Sequence, residues 1–168
     1  MNQVIEKFAA ECHEILKEEP GASGLEQMRQ RLEKVLVKKE VIKVYLGPDA
    51  ESPQNILYED PELGFCIIAH VFKGPRVRDP HDHGPSWAIY GQVEGTTKMT
   101  ESRLLEKPAD GKPGKVEPAK ACDLKPGMAV AYDVGVLHAP VRDATTMRLR
   151  LEGMNMDGVK RDKFEAAA

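Results

Sequence analysis

The sequence predicts a mainly β domain, an antiparallel barrel or sandwich preceded by two α-helices. Two observations carry this. After residue 40, about eight short apolar segments recur between Gly- and Pro-containing turns, with no helix between them to make a βαβ unit. Before residue 40, apolar residues instead recur at helical spacing. With 168 residues, 41% of them hydrophobic, the chain is long enough for one domain with a sizeable core.

Taken in order, Ile5, Phe8, Ala9, Cys12, Ile15 and Leu16 form a helical stripe that stops at Pro20-Gly21. Ser23-Gly24-Leu25-Glu26 has the form of a capping box, and Leu25, Met28, Leu32, Val35 and Leu36 continue a second helix to about Lys39. Val41–Leu46 reads as a β-segment because of its branched residues. Strands are expected at Asn55–Tyr58, Phe65–Phe72, Trp87–Val93, Thr96–Leu105, Met128–Tyr132, Val136–Val141 and Thr145–Glu152. The nearly all-apolar Phe65–Phe72 suits burial on both faces, and Thr145–Glu152 alternates strictly. Glu106–Lys120, with three prolines and many charges, reads as a surface loop. The resulting organisation is a helical extension over 1–40, a barrel over 41–157 and a loosely held tail over 158–168.

A net charge of −3 argues against a partner bound by phosphate neutralisation, and no apolar run reaches the length of a membrane span. The first residues lack a basic segment followed by an apolar core, and the three cysteines are widely spaced. A cytoplasmic protein with reduced thiols is expected, without nucleic-acid or membrane partners; a homodimer is compatible with the sequence.

The chemistry centres on Pro80-His81-Asp82-His83-Gly84-Pro85-Ser86-Trp87. Two histidines at i and i+2 of a strand share a face, and His138 from a neighbouring strand completes a set of three. Three imidazoles leave coordination positions open, the arrangement of a catalytic rather than a structural metal site. Asp82 then points away from the ion or orients a ligand. Tyr90 and Tyr132 are candidate proton donors, against the plainer reading of barrel-wall tyrosines. Arg76 and Arg78 beside the motif are candidate anion binders.

The glycine and histidine framework resembles the cupin superfamily. Gly74, His81, His83 and Gly91 match its first motif, and Gly127 with Gly135-Val136-Leu137-His138 its second, with Arg142 in place of Asn. The usual ligand Glu is missing: residues 86–89 are Ser, Trp, Ala and Ile. That absence, together with His81-Asp82-His83-Gly84 and Trp87, is similar to the thiol (cysteine) dioxygenase branch, over about residues 40–157. The resemblance implies a double-stranded β-helix, or jelly-roll barrel, with Fe(II) on His81, His83 and His138; Zn, Ni or Mn also suit the donors. It implies oxidation of a small anionic thiol to its sulfinate. Where that branch carries Ser, His and Tyr on the last strand, this chain has Arg148, Arg150 and Glu152. Facing inward, Arg148 or Arg150 would hold a substrate carboxylate; facing outward, they form a solvated, ion-paired face. Gln54 stands where cysteine-specific members carry an Arg. The alternatives are a three-histidine metal cupin with another reaction (isomerisation, decarboxylation or C–C cleavage) and a non-enzymatic metal- or ligand-binding module.

Overall fold

In the computed structural model, which describes residues 1–50 and 53–168, the chain begins with three helices: α1 (Gln3–Glu18), α2 (Ala22–Leu36) and α3 (Lys39–Tyr45). The Asn2 side chain caps α1 by accepting from the Val4 N–H at 2.8 Å. The capping box expected at Ser23 does not form. The N-cap of α2 is Gly21, and Glu26 instead bonds Arg29 and Gln30. The reason is a close helix–helix approach: a Cβ on Gly24 would lie 1.8 Å from the Glu19 carbonyl oxygen, so the helix starts early and packs Gly24 against the end of α1. The segment expected as the first strand is α3. Its Val41 and the Leu46 that follows it are buried in the core, and that packing overrides the β propensity of the branched residues.

Ten strands follow among the described residues: β1 (Gln54–Glu59), β2 (Cys66–Phe72), β3 (Arg76–Val77), β4 (Ala88–Glu94), β5 (Thr97–Glu106), β6 (Gly114–Leu124), β7 (Ala129–Tyr132), β8 (Leu137–Arg142), β9 (Thr146–Glu152) and β10 (Phe164–Ala166). They form two five-stranded sheets, ordered β1-β2-β9-β4-β7 and β10-β6-β5-β8-β3, which curl into a half-barrel. Two expectations are corrected here. Much of the presumed loop at 106–120 is β6, paired antiparallel with β5. Its exposed, charged residues hide the strand, and Pro118 is tolerated because it sits beside the register shift at Glu101/Ser102, where a ladder N–H is dispensable. The tail is also tied down. Phe164 is buried against Val116 and Leu137, and β10 runs parallel to β6.

The main core lies outside the barrel, between the helices and the first sheet. Leu149 and Leu151 of β9 enter it with Ile67, Ala69 and Val71 of β2 and Ile89 of β4. Helix α2 lies so close to β4 that a Cβ on Gly91 would meet Leu36 Cδ2 at 2.7 Å and Leu32 Cδ2 at 2.8 Å. Because side chains alternate along a strand, residues 148, 150 and 152 of β9 turn the other way, toward the second sheet. The barrel interior they enter is partly polar, with a small apolar cluster of Ala88, Tyr90, Met99, Leu124 and Tyr132.

Candidate metal centre

The His-x-His stretch reaches the barrel as an edge to β8. Arg76 and Val77 pair with Arg142 and Val141, and His81 then exchanges both backbone hydrogen bonds with His138, at 3.0 and 2.9 Å. His81 and His83 are therefore not neighbours on a strand face, as their spacing suggests. His81 lies in an isolated bridge, and His83 lies on the crossing between the sheets. There the Asp82 carboxylate accepts from the Gly84 N–H (2.9 Å) and the His83 carbonyl accepts from the Ser86 N–H (2.9 Å). Asp82 thus shapes the turn.

One ring nitrogen from each of His81, His83 and His138 lies within 4.8 Å of the other two. Each Nδ1 faces a group that can only accept: the Asp79 carbonyl for His81, the Glu152 carboxylate for His83 and the Val136 carbonyl for His138, all at 2.9 Å. Each Nδ1 therefore carries the proton, and each Nε2 keeps its lone pair. Burial, the largest cause for each, holds the imidazoles neutral: it lowers His83, brings His81 down to about 4 and His138 to about 2. Burial alone would raise Glu152, but the His83 hydrogen bond and the Arg150 charge hold it below its ordinary value, so it remains a carboxylate. Three neutral, oriented imidazoles on one side of a barrel fit a divalent transition metal, and the Nδ1 partners are of the kind that orient metal-bound histidines.

The tyrosines divide their roles. The Tyr90 hydroxyl lies 2.7 Å from His83 Nε2 and 3.1 Å from His138 Nε2. Tyr132 stacks its ring on His138 with centroids 4.2 Å apart, while its hydroxyl is buried with no partner among the described residues. Burial pushes the Tyr132 phenol far above its ordinary value, which suits a wall residue.

A cavity of about 140 Å³ opens beside His81 and His83, lined also by Gln54, Arg78, Arg150, Glu152 and Arg161. Outside it runs a groove of about 700 Å³, which shares Arg78, His81 and Arg161 with the inner cavity and carries Arg76. Arg150 thus reaches the cavity, with its Nη2 3.2 Å from Glu152. Arg148 is not on the cavity wall; it is buried over the rings of Phe72 (4.7 Å) and Tyr90 (5.0 Å). Glu94 lies outside the barrel, beside α3. Sequence reasoning assigned no role to Arg161, which lies 78 residues beyond His83 and donates to the Asp82 carbonyl at 3.2 Å. For Glu152 a signal existed, since it shares the alternating face of Arg148 and Arg150 on β9.

No protein-family model matches the chain, and no curated protein is significantly similar to it. Among solved structures, it is similar to a cupin superfamily protein from Desulfitobacterium hafniense, at 12% identity and a TM-score of 0.45 over 61% of this chain and 76% of the other. It is also similar to KdgF from a Halomonas species, at 20% identity and a TM-score of 0.43 over 62% and 82%. A cupin-2 domain containing protein from Shewanella frigidimarina gives 14% identity and a TM-score of 0.45 over 70% and 95%. At such identities the likeness is one of fold.

Proposed function

We propose that the protein is a metal-dependent oxygenase that holds Fe(II) on His81, His83 and His138 and oxidises a small anionic thiol to its sulfinate. One observation carries the reading. Three Nδ1 atoms are each tied to an acceptor, which leaves three unprotonated Nε2 atoms on histidines clustered beside a cavity lined by Arg78, Arg150 and Arg161. When bound, Fe(II) supplies open coordination positions and redox chemistry for the thiolate and O2. The reaction balances as R–SH + O2 → R–SO2H: both oxygen atoms end on sulfur, which gives up four electrons to O2. The guanidiniums on the wall hold the substrate carboxylate, Arg150 being a bidentate candidate where Glu152 does not occupy it. Glu152 holds the His83 ring in one tautomer. A volume of about 140 Å³ suits a small acid.

The test is metal analysis of freshly purified protein together with an oxygen electrode and a panel of short thiol carboxylic acids. The expected result is one metal per chain and thiol-dependent oxygen uptake by the Fe(II)-loaded protein. Metal binding with no oxygen uptake on any thiol rejects the reaction. A second reading keeps the metal and changes the chemistry. Glu152 and Arg150 on one cavity wall also suit proton abstraction beside a carboxylate, the step of an isomerase. Thiol-independent turnover of keto acids or sugars favours that reading. Tight metal binding with no turnover at all favours a non-enzymatic binding module.

A further inference from the structure

We infer that Tyr90 is a fourth ligand of the metal held by His81, His83 and His138, binding it through its phenolate oxygen. The inference rests on the reading of the triad as a metal centre and adds a ligand to it. Three observations lead there.

The first is a proton count. With every Nδ1 protonated, His83 Nε2 and His138 Nε2 are both acceptors, yet both lie against the same hydroxyl, at 2.7 and 3.1 Å. A phenol has one proton and satisfies only one of them. The other contact sets lone pair against lone pair, an arrangement that a cation between the three atoms resolves. The second is distance. Donors about 2.1 Å from one ion lie about 3.0 Å apart when adjacent in an octahedral shell and about 3.4 Å apart in a tetrahedral one. The two Tyr90 contacts are close to the octahedral spacing, while the three imidazole nitrogens, spread over up to 4.8 Å, draw in to meet one ion. The ring cannot turn away, because it is 1% exposed and packs edge-on against His83, His138 and Tyr132.

The third is charge. The Arg148 guanidinium is 5% exposed and pairs with no carboxylate among the described residues; its Nε has no hydrogen-bond partner there. A buried cation without a counter-ion is costly. What the guanidinium does face is the Tyr90 ring at 5.0 Å, with Arg150 5.9 Å from the same ring. A metal-bound Tyr90 oxygen makes both guanidiniums part of the site. On metal binding the O–H bond is replaced by an oxygen–metal bond, the proton leaves to solvent, and no electron moves. The donor set becomes three neutral nitrogens and one anionic oxygen, with two positions free in an octahedral shell.

The test uses the full chain, stripped with a chelator and loaded with Fe(III), whose phenolate complexes absorb in the visible by charge transfer. The expected result is one Fe(III) per chain with a visible band, and resonance Raman excitation in that band enhancing tyrosinate ring modes. The band is lost in Tyr90→Phe and kept in Tyr132→Phe. Co(II) binding weakens at least tenfold in Tyr90→Phe, whose unfolding midpoint reports whether the barrel is intact. If Fe(III) binds at one per chain, is lost in His81→Ala, and yet shows no tyrosinate band, the ligand assignment is overturned while the metal centre stands. The same holds if the band survives Tyr90→Phe. If wild-type protein binds neither Fe(III) nor Co(II), the metal centre itself fails, and the fourth ligand with it.

Discussion

Replacing Glu152 with Gln isolates what a buried carboxylate does for the site. Glu152 is 2% exposed and accepts from His83 Nδ1 at 2.9 Å while facing Arg150 Nη2 at 3.2 Å. The amide keeps the size and one acceptor oxygen, so the His83 hydrogen bond survives, but the charge is gone. Two effects follow. Without the anion behind it, His83 is a weaker donor, and losing such a partner costs about 10–100-fold in metal affinity, or roughly 1.4–2.8 kcal/mol. Arg150 is also left without its carboxylate. At 3.2 Å and an effective dielectric of about 20 the gross attraction is about 5 kcal/mol, and breaking a buried pair costs about 3–5 kcal/mol of stability. Adding Arg150→Gln should recover a large part of the stability loss, because no buried guanidinium is then left without its carboxylate. The assays are competition for Co(II) against a chromogenic chelator and urea unfolding of the metal-free protein. If Glu152→Gln binds Co(II) within twofold of wild type, Glu152 does not tune His83 and the reasoning fails.

Three other outcomes test separate parts of the structure. His81→Ala and His138→Ala should each abolish stoichiometric metal binding while circular dichroism still reports a folded barrel; unchanged metal content in both variants refutes the site. Gly91→Ala should destabilise the protein by about 1–3 kcal/mol, because the new methyl meets Leu36 and Leu32 at 2.7–2.8 Å, and an unchanged urea midpoint refutes the tight contact between α2 and β4. Asp60 provides a pH signature. Burial alone would raise its carboxyl, but the N–H groups of Leu63 and Glu62, the His13 ring and the Tyr58 hydroxyl hold it at about 2. Its folded value is below the unfolded one, so its contribution, about 2 kcal/mol, is complete above pH of about 4 and is lost as pH falls toward about 2. In Asp60→Asn that stretch of the stability-against-pH curve should flatten; an unchanged slope refutes the assignment.

Local pattern determined the elements whose faces differ sharply in polarity. The stripes of α1 and α2, the apolar run of β2 and the alternation of β9 are legible because burial on one face repeats at the period of the backbone. The three histidines were legible as a set because few residue types can share one ion. Elements whose state depends on a distant partner were not legible. The branched residues of α3 read as strand until the core claims Val41 and Leu46. The polar β6 reads as loop until β5 pairs with it, and the tail reads as loose until Phe164 finds Val116 and Leu137.

The division within the site has the same cause. By itself the sequence determined which imidazoles are available and that β9 carries Arg148, Arg150 and Glu152 in alternation. Only the tertiary structure decided that this alternation turns inward, because the helices take Leu149 and Leu151 on the other face. It also set Glu152 behind His83, 69 residues away, and made Tyr90 rather than Tyr132 the phenol whose hydroxyl reaches the imidazole nitrogens. Side-chain period is a property of the strand, but which face meets the cavity is settled by what covers the opposite face.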